Sequence, residues 1–177
     1  MQAIETATSP NIEEGVVGAG TGMTGFGWKG GMGTSSRLCA LENGDEYTVG
    51  VMTLTNTGDP REFRIDGVRI GRHLLPEEVA FDPTGGPGGS IMMVIATDAP
   101  VDARQLGRMA RRAGMGLARA GGIADHSSGD FVIAFSNSIR SKTIEDRDLT
   151  PLLRGVVEAT EEAIINSVLS ADTVVGQ

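Results

Sequence analysis

The chain has 177 residues, 40% of them apolar and 21% charged, a balance that fits one globular domain and excludes a disordered chain or several domains. A net charge of −8 excludes a nucleic-acid or anionic-membrane surface, because both need clustered positive charge to displace counterions. The single Cys39 allows no internal disulfide and no cysteine metal site, and no apolar run reaches the roughly 20 residues that span a bilayer.

The opening MQAIETATSPNIEEG is polar and acidic, and does not read as a signal peptide. The compartment is open on that basis, with the cytoplasm favoured and the periplasm an alternative. Gly15 to Gly33 is almost all glycine and small residues. It predicts a long ordered loop, since each interior glycine costs a helix roughly 1 kcal/mol against alanine. Two strands follow, Thr34–Glu42 and Glu46–Thr55, joined by a turn at Asn43-Gly44-Asp45, because Asn-Gly between apolar runs signals a hairpin. Arg61–Gly71 reads as a short hairpin turning at Asp66-Gly67, and His73–Asp82 as loop.

After the glycine cluster Gly85–Gly89 the character changes at Ser90. SIMMVIATD is a continuous apolar strand, whose unbroken run predicts burial on both faces. Val101–Ala120 is an amphipathic helix with Leu106, Met109, Ala110, Ala113 and Leu117 on one face. Arg104, Arg108, Arg111, Arg112 and Arg119 form a stripe opposite, read as a solvated face. Gly121-Gly122 ends the helix. Phe131–Phe135 predicts a second buried strand. A final helix starts with Thr150 as N-cap and Pro151 at its first position and runs to about Ala171. Strands apolar on both faces with two amphipathic helices predict an α/β fold of sheets sandwiched under helices. There is no internal repeat and no low-complexity linker.

Several patterns have plain readings. Gly20, Gly22 and Gly25 satisfy G-x-G-x-x-G, but no strand precedes them and more glycine follows, so a structural loop fits better than a dinucleotide site. Asp125, His126 and Ser127 are hydrolase-triad types side by side, yet adjacent side chains diverge and cannot form the relay. His73 and His126 lack a clustered third ligand and read as surface loop residues. Cys39, Met92, Met93, Met109 and Met115 read as core filler.

Gly88-Gly89-Ser90 is open to two readings. One is a simple loop-to-strand transition. The other is a nucleophile freed by cleavage between Gly89 and Ser90, whose own α-amino group, of pKa about 7.7–8, serves as base without a histidine.

Four blocks favour the second reading: EGVVGAGTGM (Glu14–Met23), KGGMGTSSR (Lys29–Arg37), GSIMMVIATDAP (Gly89–Pro100) and SSGDFVIAFS (Ser127–Ser136). In order and wording they resemble the D-aminopeptidase and β-peptidyl aminopeptidase (DmpA-like) family of self-cleaving serine aminopeptidases. The resemblance implies an αββα sandwich like that of N-terminal nucleophile hydrolases, with different connectivity. It implies cleavage into an α segment, residues 1–89, and a β segment, residues 90–177, that stay associated, and a homo-oligomer. Ser90 would be the nucleophile. Ser128 and Asp130 would hydrogen-bond its hydroxyl and amino groups, and Asn56 would stabilise the oxyanion.

The implied substrates are short peptides, amides or esters with N-terminal amino acids, D- or β-residues included, with no metal or organic cofactor, nucleic acid or membrane partner. Family members are about twice as long. The whole of 1–177 therefore reads as one partial domain, the C-terminal portion, with further strands and a tyrosine near the nucleophile supplied by the other half. Two rival readings remain. An acyltransferase of the ornithine acetyltransferase type shares the architecture but usually has threonine at the cleavage point. An inactive fragment is the other.

Overall fold

The computed structural model describes Glu5 and residues 12–76, 89–140 and 142–175. Its centre is a four-stranded sheet in the order β3 (Met32–Ala40), β4 (Glu46–Asn56), β7 (Ser90–Thr97), β8 (Phe131–Ser136). Two short ribbons flank it. β1 (Thr24–Gly25) pairs with β2 (Trp28–Lys29) inside the glycine-rich segment, and β5 (Arg64–Ile65) pairs with β6 (Val68–Arg69). In the main sheet β3, β4 and β7 run antiparallel, and β8 lies parallel to β7. The parallel step needs a crossover, which α1 (Ala103–Ala120) supplies. α2 (Thr150–Leu169) packs beside α1 and across β3 and β4.

The Asp66-Gly67 turn falls where the sequence predicts it. Both residues take positive φ, 50° and 74°, the conformation of a two-residue hairpin turn whose twist suits the flanking strands. α1 begins at a capping box. Asp102 accepts from the Gln105 N–H at 2.7 Å and Gln105 Oε1 accepts from the Asp102 N–H at 3.1 Å. Gly121, at φ 106°, closes the other end.

At α2 the expectation needs correcting. Leu149 occupies the N-cap position, without a side-chain cap, and Thr150 is already helical at φ −55° and ψ −43°. A preceding 3₁₀ turn, Asp146–Leu149, leads straight into the helix, so no extended residue is left for Thr150 to cap.

The core lies between the sheet and the two helices. Thr53, Thr55, Val49 and Val51 of β4 and Ile91, Met93 and Ile95 of β7 face Met109, Ala113 and Leu117 of α1 and Leu152, Val156, Ala159, Ala163 and Ile164 of α2. Ile164 is fully buried. Its truncation to alanine will lower the unfolding free energy by about 2–5 kcal/mol through lost contacts and a residual cavity, to be read from the urea midpoint at unchanged slope. Cys39 is buried as expected, and burial pushes its thiol pKa up.

The arginine stripe faces solvent, with Arg104, Arg111 and Arg119 exposed, and three of its members are ion-paired there. Arg104 makes two bonds to Asp146, at 2.7 and 2.9 Å, Arg108 lies 3.3 Å from the same carboxylate, and Arg119 lies 2.8 Å from Glu161. The Arg104 bonds, with that from Gln105, hold the Asp146 carboxyl well below the usual range. They fasten the segment before α2 to α1.

A larger correction concerns the opposite face of the sheet. The apolar run at β7 predicts burial on both faces, but Met92 is 43% exposed. In β8 the structure leaves Phe131, Ile133 and Phe135 half exposed. Residues two apart share a face, and the register sets Met92 beside Leu54 and Phe131, and Val94 beside Met52 and Ile133. The outcome is a continuous apolar surface on the side away from the helices. Met92 and Met115, at 43% and 54% exposure, are therefore not core filler, whereas Met93 and Met109 are.

Candidate active site

Ser90 is the first residue of β7 and pairs across the sheet with Asn56, the last residue of β4. Strand periodicity turns both side chains toward the open apolar face, in line with Met92 and Leu54. Gly89 enters the strand pressed against the backbone of Asn56 and Thr57. A Cβ there would lie 2.6 Å from the Thr57 Cα and closer still to the Asn56 carbonyl oxygen. The residue before Ser90 therefore has no room for a side chain.

The loop before β8 carries the next group of residues. The Gly129 N–H donates to Ser90 Oγ at 2.9 Å. Ser128 Oγ donates to Asp130 Oδ1 at 2.5 Å, and the same oxygen accepts the Ile91 N–H at 3.1 Å. Parallel pairing of β7 and β8 makes this possible, because it brings the starts of the two strands to one end of the sheet. Ser90, Ser128, Asp130 and Asn56 thus converge from three separate segments.

Asn56 is oriented from a fourth segment. Its Oδ1 accepts the Thr24 N–H at 3.0 Å, which fixes the amide with its oxygen toward the glycine-rich loop. Among the described residues its Nδ2 group donates to nothing else. The cluster so holds a hydroxyl, a carboxylate and an amide donor around one strand start, the kinds of group that acyl transfer uses.

Thr24 and the loop behind it escape sequence reasoning. A backbone donor has no residue type to announce it, and KGG in the Lys29–Arg37 block is the nearest local signal. Of the remaining candidates, the Asp125–Ser127 stretch adjoins the cluster, the Ser128 N–H donating to the Asp125 carbonyl oxygen at 3.0 Å. Asp125, His126 and Ser127 form a local turn in which Asp125 accepts from both the Ser127 N–H and Oγ at 2.7 Å. These bonds hold the Asp125 carboxyl below its ordinary range. His73 and His126 are exposed on different loops. Gly20 and Gly22 lie in a 3₁₀ turn, Gly18–Gly22, followed by a strand rather than a helix. Gly85, Gly86, Pro87, Gly88 and a portion of the His73–Asp82 loop lie outside the described residues. Among the described residues no helix is long and apolar enough to cross a membrane.

Comparison with known proteins supplies the family. The model of peptidase family S58 matches residues 1–177. The chain is 43% identical over 196 residues to a β-peptidyl aminopeptidase BapA from Sphingosinicella xenopeptidilytica, covering 98% of this chain and 48% of that protein. It superposes with a TM-score of 0.86 and 45% identity on the PH0078 protein from Pyrococcus horikoshii OT3, over 99% of this chain and 50% of that one. An L-aminopeptidase D-Ala-esterase/amidase from Ochrobactrum anthropi, described as a new variant among the Ntn hydrolase fold, gives 0.81 and 32%, over 97% and 48%. The chain spans about half the length of the curated relatives it matches. With the matching family model extending over every residue and the same fold in solved relatives, this chain belongs to peptidase family S58.

Proposed function

We propose that the chain carries the nucleophile half of a serine aminopeptidase that activates itself by cleavage between Gly89 and Ser90. The observation that carries the reading is the setting of Ser90 at the start of a strand, opposite Asn56, with the Gly129 N–H on its Oγ and Asp130, held by Ser128, on the N–H of the next residue, Ile91. In the first step Ser90 Oγ attacks the Gly89 carbonyl carbon. The peptide C–N bond breaks and its nitrogen, with one added proton, becomes the free α-amine of Ser90. Water then hydrolyses the ester and leaves the Gly89 carboxylate. Residues 1–89 and 90–177 stay together, since β4 and β7 are adjacent strands of one sheet.

In turnover the Ser90 amine accepts the hydroxyl proton and Oγ attacks the acyl carbon of a substrate's N-terminal residue. The proton passes to the departing amine, and water resolves the acyl-enzyme. Asp130 supports the charged α-ammonium, Ser128 orders that carboxylate, and Asn56 donates to the oxyanion. An N-terminal amine as base makes activity rise with pH through roughly 7.7–8. Short peptides, amides and esters, with D- or β-residues among them, are the proposed substrates, in keeping with the activities in the relatives' names. Residues 1–177 then form one partial domain that works as a homo-oligomer. The open apolar face is where the second sheet of an αββα sandwich packs.

Intact mass spectrometry of the purified chain tests the reading. Fragments ending at Gly89 and beginning at Ser90, with release of p-nitroaniline from aminoacyl p-nitroanilides, are expected. A single uncut and inert species overturns it for this chain. Transfer product accumulating with an added amine acceptor would instead favour an acyltransferase.

A further inference from the structure

The glycine-rich loop closes around the Lys29 ammonium. Its Nζ donates to the carbonyl oxygens of Met23 at 2.6 Å, Gly20 at 3.0 Å and Gly30 at 3.4 Å. Among the described residues no carboxylate pairs with it. Three N–H bonds are thus taken by backbone, and partial burial lowers the ammonium pKa.

The shortest of these bonds has a particular target. The Met23 carbonyl and the Thr24 N–H belong to one trans peptide group, and that N–H donates to Asn56 Oδ1. Strand pairing sets Lys29 directly opposite Thr24, so the ammonium is held in register with the peptide it touches. A positive charge at a carbonyl oxygen draws electron density through the amide and makes its N–H a stronger donor. A stronger bond at Asn56 Oδ1 does the same to the Nδ2–H groups. Hydrogen bonds in such chains reinforce one another, by about 10–30% per bond.

We infer that Lys29 is a positioning residue that polarises and orients Asn56 through the Met23–Thr24 peptide, so that the side-chain amide meets the oxyanion as a stronger and better-fixed donor. The inference rests on the proposed role of Asn56. It adds a residue remote from the nucleophile, and gives the KGG segment a task beyond loop structure.

The test uses the 177-residue chain, with Lys29→Gln, which removes the charge but keeps N–H donors for the loop carbonyls. Two quantities are read: the amide-proton NMR shift of Thr24, and the first-order rate at which the Ser90 fragment appears by intact mass. In Lys29→Gln the Thr24 proton moves upfield and cleavage slows about tenfold, a fraction of the roughly 10²–10³ that a whole oxyanion donor contributes. In an Asn56→Ala background the same change slows cleavage less than about twofold, because the relay then has no end.

An unmoved Thr24 proton overturns the relay, whatever the cleavage rate does. Full multiplication of the two rate effects overturns it too, as does loss of a cooperative melt in Lys29→Gln, which would assign the lysine to folding. A wild-type chain that does not cleave, with the Thr24 shift still sensitive to Lys29, supports the relay and counts against the proposed function alone.

Discussion

Ser90→Ala leaves a single uncut chain whose stability is close to that of the wild type. Removing a serine nucleophile elsewhere costs up to about a millionfold in rate, so no Ser90 fragment should accumulate on the time scale of purification. The structural loss is small. Ser90 is half-buried at a strand end, and its Oγ accepts one bond, from the Gly129 N–H. Losing that acceptor costs about 0.5–1.5 kcal/mol. Intact mass and a urea melt on the same sample separate the two effects. Cleavage continuing in the variant would remove Ser90 from the mechanism, while a collapsed melt would mean that Ser90 matters first to the fold.

Asn56→Ala should slow self-cleavage about 10²–10³-fold, the effect of deleting one donor from an oxyanion site. Asn56→Asp is the sharper variant. It keeps an oxygen to accept the Thr24 N–H, so the loop stays docked. It also places a carboxylate where the amide N–H groups were, next to the negative charge that develops on the attacked carbonyl. Its rate should be no faster than that of the alanine variant. If the aspartate variant instead cleaves at the wild-type rate, the side chain serves only to dock the loop, and the oxyanion is held by other groups. The rate constant for appearance of the Ser90 fragment decides between them.

Both predictions concern a site that opens toward an apolar surface. Ser90 and Asn56 share their sheet face with Leu54, Met92 and Phe131, and this face is only partly covered among the described residues. On the proposed reading, this position sets the nucleophile between the present sheet and a second one packed on its open face. It also shows how the unbroken apolar run at β7 is to be understood. One face meets α1 and α2 within this chain. The other is equally apolar and carries no layer from the described residues.

Much of the fold is legible in the chain because local physics writes it plainly. Gly44, Asp66 and Gly67 turn with positive φ, at positions whose residue types tolerate it. Period-3.6 apolar residues place Met109, Ala113 and Leu117 inward, while the Asp102–Gln105 capping box starts α1 at Ala103 rather than at the expected Val101. Thr150 misleads, because a cap requires an extended backbone and the preceding 3₁₀ turn removes it. Ser90, Asn56, Ser128 and Asp130 stand out through their resemblance to a family, since spacing alone allows a plain loop-to-strand reading of Gly89-Ser90.

Strands, helices, most turns and the family can be read directly along the chain, because they rest on neighbours within a few positions or on the wording of contiguous blocks. What meets Ser90 depends instead on how distant segments come into register. The parallel pairing of β7 and β8 brings Gly129 to its Oγ and Asp130 to the N–H of the next residue, Ile91, and the antiparallel pairing of β4 sets Asn56 opposite. The folded glycine loop then delivers the Thr24 N–H to that amide and sets the Lys29 ammonium on the carbonyl of the same Met23–Thr24 peptide. Apart from the Lys29–Met23 bond, these contacts join residues 32 to 39 positions apart, and all of them use main-chain groups that no side-chain pattern along the chain records.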